Sequence, residues 1–103
     1  MKIEILYFDS CPTWQETLDE VRRIVTDARL DDATELHLVA VTTHEEAQSA
    51  RFLGSPTVRV DGVDVDASAR SVSTFGLQCR VYEYEGRLRP SPPASWIRAA
   101  LGA

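Results

Sequence analysis

The stretch "KIEILYFDSCPTWQETL", residues 2–18, runs an apolar segment directly into Asp9-Ser10-Cys11-Pro12-Thr13-Trp14. Lys2 to Phe8 reads as a β-strand, with Ile3, Ile5 and Tyr7 on one face and Leu6 and Phe8 on the other. A strand that is apolar on both faces belongs in the middle of a sheet covered on both sides. A helix is predicted next. Pro12 suits its first turn, where a missing N–H costs nothing. Trp14, Leu18, Val21, Val25 and Ala28 then recur at helical spacing and draw one apolar stripe, with Asp31-Asp32 at the exit. A cysteine therefore stands where a central strand hands over to a helix.

Working outward, Leu36 to Val41 reads as a second strand. Thr43-His44-Glu45-Glu46 has the pattern of a capping box, in which the threonine and the glutamate satisfy each other's backbone donors. The short helix it opens runs through Ala47, Ala50 and Leu53 and stops at Gly54. Ser55-Pro56-Thr57-Val58-Arg59-Val60 begins a third strand, and Asp61-Gly62 between alternating valines is a strong hairpin signal. Val63-Asp64-Val65 is its antiparallel partner. Residues 66–78 are small and polar and read as a loop. Cys79 to Tyr84 alternates weakly, as an extra strand or an ordered extension. A last helix opens at Ser91 or Pro92, carries Trp96, Ile97, Ala100 and Leu101, and closes at Gly102.

The order is β-α-β-α-β-β-α. Right-handed crossover makes the first two strands parallel, and the hairpin adds an antiparallel edge. The expected fold class is α/β, a four-stranded mixed sheet in one domain over residues 1–103, with one helix on one face and two on the other. At 44% hydrophobic residues the chain can bury a core without metal or disulfide support.

A net charge of −5 argues against nucleic acid and anionic membrane surfaces as partners. There is no long apolar stretch for a membrane span, and Met1-Lys2 leads straight into the first strand without a secretory signal. A cytoplasmic protein is the expectation. The charge is uneven: residues 1–50 hold eleven acids and four bases, residues 51–103 five acids and seven bases. His37 and His44 have no ligand-like spacing to either cysteine and there is no C-x-x-C, so no metal site and no cofactor are expected. His37 reads as packed within its strand, and His44 as a solvated residue in a first helical turn.

Two cysteines, Cys11 and Cys79, are too few for a disulfide framework, so each is reactive or inert. A cysteine at a helix N-terminus meets unsatisfied N–H groups and the positive end of the helix dipole, which favour thiolate over thiol.

This order, with "CPTW" at 11–14 and "GSPTVRVDG" at 54–62, resembles the thioredoxin-like fold over residues 2 to about 101. It looks closest to a small bacterial branch with a single active-site cysteine. The resemblance implies that Cys11 is the nucleophile and that Pro56 is a cis-proline beside it. It also implies that the backbone of Ser55 turns outward to pair with an extended substrate, and that Pro12, Trp14, Ser55 and Pro56 line the substrate site. The departure is Trp14, which stands where a dithiol enzyme carries its resolving cysteine. Trp14 reads as helix core or as a cover over the sulfur.

In this topology residues 66–78 emerge on the same rim of the sheet as Cys11, and a loop of that length can span the distance. Cys79 is then either the redox partner of Cys11 or a small buried apolar residue. Arg70 and Arg80 flank the segment. They read as solvated surface residues, with stabilisation of a thiolate or of an anionic substrate as the alternative. Three functions follow: a thiol–disulfide oxidoreductase-like protein acting on a protein disulfide or a low-molecular-weight thiol, with Cys11 resolved by Cys79 or an external thiol; a thiol-based binder of a soft metal such as mercury; or a non-catalytic interaction module that retains the fold.

Overall fold

A computed structural model describes residues 1–72 and 74–102. Its main sheet has four strands: β1 (Lys2–Tyr7), β2 (Glu35–Ala40), β3 (Thr57–Val60) and β4 (Val63–Asp64), in the order β2-β1-β3-β4. β1 is parallel to β2 and antiparallel to β3, with Ile5 opposite Val58 and Leu6 opposite Thr57. The sheet is mixed and β1 is central, as its two-faced apolar pattern predicts.

Alternation along β1 divides the core into two layers. Ile3 and Ile5 point to one side, where they join Val58 and Val60 of β3, Leu18, Val21, Ile24 and Val25 of α1 (Trp14–Asp27), and Ile97 and Leu101 of α3 (Ala94–Leu101). Leu6 points to the other side and packs with Val41, Ala47 and Phe52 around the short α2 (His44–Ser49). Two helices therefore cover one face and one covers the other.

Several local expectations change. α1 starts at Trp14, but Thr13 is already αR and Gln15 N–H donates to Pro12 O at 3.3 Å, so Pro12 opens the turn that leads into the helix; ahead of it the chain turns at Asp9-Ser10, where Cys11 N–H donates to Phe8 O at 2.9 Å. α1 ends at Asp27, before Asp31-Asp32, and Arg29 takes a positive φ of 57° beyond it. The Thr43 hydroxyl accepts from Glu46 N–H at 3.1 Å, but the Glu46 carboxylate reaches back to the N–H and hydroxyl of Thr42 instead of closing a box on Thr43. α2 stops at Ser49, and Arg51 then adopts a φ of 55°, which breaks the helical phase and buries Phe52 in place of Leu53. His37 is exposed on the edge strand β2 near Glu35, not packed. Ala100 is exposed, and α3 starts at Ala94 after Pro93.

Three features go beyond the predicted order, the first a 3-10 turn at Asp31–Ala33 between α1 and β2. The loop after β4 contains a 3-10 turn at Ala67–Ser71, opened by the Asp66 side chain accepting from Ser68 N–H. Between β4 and α3 lies a separate hairpin, β5 (Tyr82–Tyr84) with β6 (Arg87–Arg89), turning through Glu85 and Gly86 at positive φ. Asp61 and Gly62, also both at positive φ, make the predicted turn from β3 to β4. Among the described residues no helix is long and apolar enough to cross a membrane.

Candidate functional site

Cys11 lies just beyond the end of β1, on the rim where β3 begins. It is joined there to Cys79 by a disulfide, with Cα atoms 5.8 Å apart across 68 residues of sequence. The two halves differ in environment: Cys11 is 2% exposed, whereas Cys79 is exposed. The reading of Cys79 as a buried apolar residue is thereby replaced. Cys11 sits two residues ahead of Thr13, the cap of α1, whose side chain makes no capping hydrogen bond.

The segment that carries Cys79 is strapped down along the start of β3. Ser55 N–H donates to Gln78 O at 2.8 Å and Arg80 N–H donates to Ser55 O at 2.9 Å, a parallel bridge centred on Ser55 and Cys79. Ser55 precedes a cis peptide bond to Pro56, and both residues are buried. The backbone groups of Ser55 expected to meet an extended substrate are thus taken by the protein's own chain. Ser55 Oγ is buried without a hydrogen-bond partner among the described residues. Further upstream, Gly76 N–H donates to Phe52 O, the Gln78 amide donates to Leu53 O, and the Gln48 amide donates to Phe75 O.

Immediately after Cys79 the strap is anchored by charge. Arg80 is buried, contrary to its reading as a solvated residue, because Asp64 at the end of β4 supplies a partner. The bidentate contacts are Nη1 to Oδ2 at 2.7 Å and Nη2 to Oδ1 at 3.1 Å. Arg80 Nη1 also donates to Thr57 Oγ1, which itself donates to Gly54 O, and Asp66 lies 3.7 Å from Nη2. Burial alone would weaken the hold of this guanidinium on its proton, but the hydrogen bond and charge of Asp64, with help from the charge of Asp66, outweigh it and the net shift is upward. Next in the chain, Tyr82 stacks under Arg80 at 4.4 Å and donates its hydroxyl to Pro56 O at 2.5 Å. Burial pushes the Tyr82 phenol well above its ordinary range, with Arg80 pulling partly back. Arg80 and Tyr82 therefore lock Cys79 opposite Cys11 through contacts independent of the sulfur bond.

The remaining sequence candidates are placed as follows. Trp14 is half-buried, stacks on Tyr7 with centroids 4.2 Å apart and packs against the core layer of α1. Pro12 is exposed. Arg70 is exposed and donates through Nε and Nη2 to Asp64 O. Among the described residues no group of three or more His, Cys, Asp or Glu side chains is arranged to hold a metal ion. The Arg80–Asp64–Tyr82 network has no local sequence signal, because Asp64 lies 16 residues before Arg80 and only the fold brings them together. Compared with family models, with curated proteins and with solved structures, the chain has no match in any of the three.

Proposed function

We propose that this protein is a thiol–disulfide redox protein of thioredoxin-like type, in which Cys11 and Cys79 cycle between a disulfide and two thiols. The observation that carries the reading is the disulfide on the rim of the sheet, one sulfur buried and its partner on an exposed, independently anchored strap. The chain order, with a cysteine just after the central strand, supports the thioredoxin-like assignment.

Burial reverses the roles that the resemblance implies: Cys79, being exposed, is the entry sulfur, and buried Cys11, expected as the nucleophile, becomes its partner. An external thiolate reaches Cys79 Sγ and forms a new S–S bond with it. The Cys11–Cys79 bond breaks, and Cys11 Sγ leaves with the electron pair and takes up a proton. A second thiol then attacks the mixed disulfide, releasing the oxidised small molecule and a Cys79 thiolate. In the opposite direction Cys79 attacks a substrate disulfide and Cys11 resolves the mixed species. Because Arg80 and Tyr82 hold the strap, the two sulfurs stay close after reduction, which raises the effective concentration of one for the other.

The test is native-state reduction of the oxidised protein by a neutral thiol such as 2-mercaptoethanol, followed by alkylation and mass mapping. The expected result is full reduction without denaturant, and, when Cys11→Ser is treated with 2-hydroxyethyl disulfide in place of the thiol, a mixed disulfide that accumulates on Cys79 as one 2-mercaptoethanol thiolate leaves. Reduction that proceeds only in denaturant would make the crosslink purely structural and overturn the reading.

A further inference from the structure

Two concavities adjoin at the exposed face of the strap, sharing Leu53, Ala69 and Val72 on their walls. One, of about 370 Å³, is lined by Cys79 together with Gln78, Arg80 and Asp66. The other, of about 310 Å³, is lined by Arg51, Arg59 and Arg70. Both volumes fall in the range of small-molecule sites. The exposed cysteine and three guanidinium groups thus line two neighbouring hollows with a common wall, together called the groove.

The charge balance of that groove is opposite to that of the protein. Its carboxylates are Asp64 and Asp66, and both face Arg80. Among the described residues none of the three arginines has a carboxylate partner; their contacts are neutral. Arg59 Nη2 donates to Ala50 O and Arg51 O, Arg70 donates to Asp64 O, and Arg51 lies over the Phe75 ring at 5.1 Å. Each guanidinium has five N–H donors in all, more than these carbonyls use. A chain of net charge −5 would by itself repel anions. Glu4 stands opposite Arg59 in the β1–β3 register, where it faces Lys2 at 3.9 Å, but three arginines without an ion-pair partner around the hollow that adjoins the one of Cys79 reverse that sign locally.

We propose that this groove binds a small thiol, or its disulfide, bearing a carboxylate, sulfonate or phosphate, with the anion at Arg51, Arg59 and Arg70 and the sulfur at Cys79. The inference rests on the redox reading above and names its substrate class. The anionic thiolate attacks Cys79 Sγ and the electron pair of the broken bond leaves on Cys11 Sγ, as for any thiol; the arginines add positioning and attraction.

The experiment compares reduction rates of the oxidised full chain by 2-mercaptoethanesulfonate, 2-mercaptoethanol and cysteamine at matched thiolate concentration, at low and high salt. The expected order is anionic, neutral, cationic. Focused charge of this kind gives about tenfold or more between the extremes at low salt, and the difference shrinks as salt is added. Arg51→Gln with Arg70→Gln should reverse the order, whereas removing two charges elsewhere, Arg22→Gln with Arg98→Gln, should preserve it. If the first pair fails to fold, the wild-type order and its salt dependence decide alone. A wild-type protein reduced fastest by cysteamine, or equally by all three thiols, would overturn the anion site while leaving the redox pair standing. No native-state reaction with 2-mercaptoethanol would remove the redox reading and this inference together.

Discussion

Gly54 faces Arg80 so closely that a β-carbon added to Gly54 would stand 2.8 Å from Arg80 Cβ, and Gly54 itself holds a φ of +134°. No side chain fits there without moving the strap backbone, and the φ lies where L-residues are strained. Gly54→Ala is expected to destabilise the fold by at least about 2 kcal/mol, from backbone strain and overpacking combined. Urea denaturation measures the loss. The variant should also react faster with thiols at Cys79, since the displaced segment carries that residue. A stability within experimental error of wild type would show that the close approach constrains nothing.

The ion pair behind that contact is buried on both sides, with Arg80 and Asp64 at 7% and 9% exposure. Removing one partner leaves the other charged and desolvated, which typically costs about 3–5 kcal/mol, whereas replacing both by apolar groups of similar size is often neutral. Asp64→Asn should therefore be much more damaging than the double change Asp64→Leu with Arg80→Met. Equilibrium denaturation of the two variants checks this. An Asp64→Asn protein as stable as the double variant would mean that the pair contributes little to holding the strap.

Closing a loop of 68 residues restricts the unfolded chain, and the entropy model puts the effect of such a crosslink at about 4 kcal/mol, with measured values commonly about 2–4 kcal/mol. Cys79→Ser should lose that amount, matching the loss on reducing the wild type. Cys11→Ser should lose more, because it also places a hydroxyl in a buried site. The two substitutions share one bond, so together they should cost less than the sum of the singles. Midpoints of denaturation for the three variants, with and without reductant, test each statement.

The period of two along Ile3 and Ile5, with Leu6 on the opposite face, makes the central strand readable, because alternation needs only neighbours in sequence to be recognised. Asp61-Gly62 was readable for the same reason: a turn's demand for positive φ is local. What escaped depends on partners distant along the chain. Arg80 looks like any surface arginine until Asp64 is placed beside it by the β3–β4 hairpin. Phe52 gives no helical signal because the phase breaks at Arg51, and a one-residue change of conformation exchanges which side chain is buried. β5 lies within the weakly alternating Cys79–Tyr84 stretch and buries Tyr82, but β6, Arg87-Leu88-Arg89, is exposed throughout and so gives no periodic signal. For the cysteines, topology restricted both to one rim, but only their observed pairing joins them.

Tyr82 gives the strap a pH dependence of its own. Its phenol is buried and its pKa is raised from the ordinary value of 10.0, the desolvation being only partly offset by Arg80. The folded state thus keeps this proton to higher pH than the unfolded state does. The resulting stabilisation is fully present below the unfolded value and is lost progressively as pH rises beyond it, because only the unfolded chain ionises there and is favoured by doing so. Stability measured by urea should therefore fall as pH is raised above about 10. In Tyr82→Phe the part of this slope due to Tyr82 should vanish. The same variant should lose about 1–3 kcal/mol at neutral pH, since Pro56 O then sits buried without its donor. An alkaline slope identical in wild type and Tyr82→Phe would place the titrating group elsewhere and remove Tyr82 as a pH-sensitive anchor of the strap.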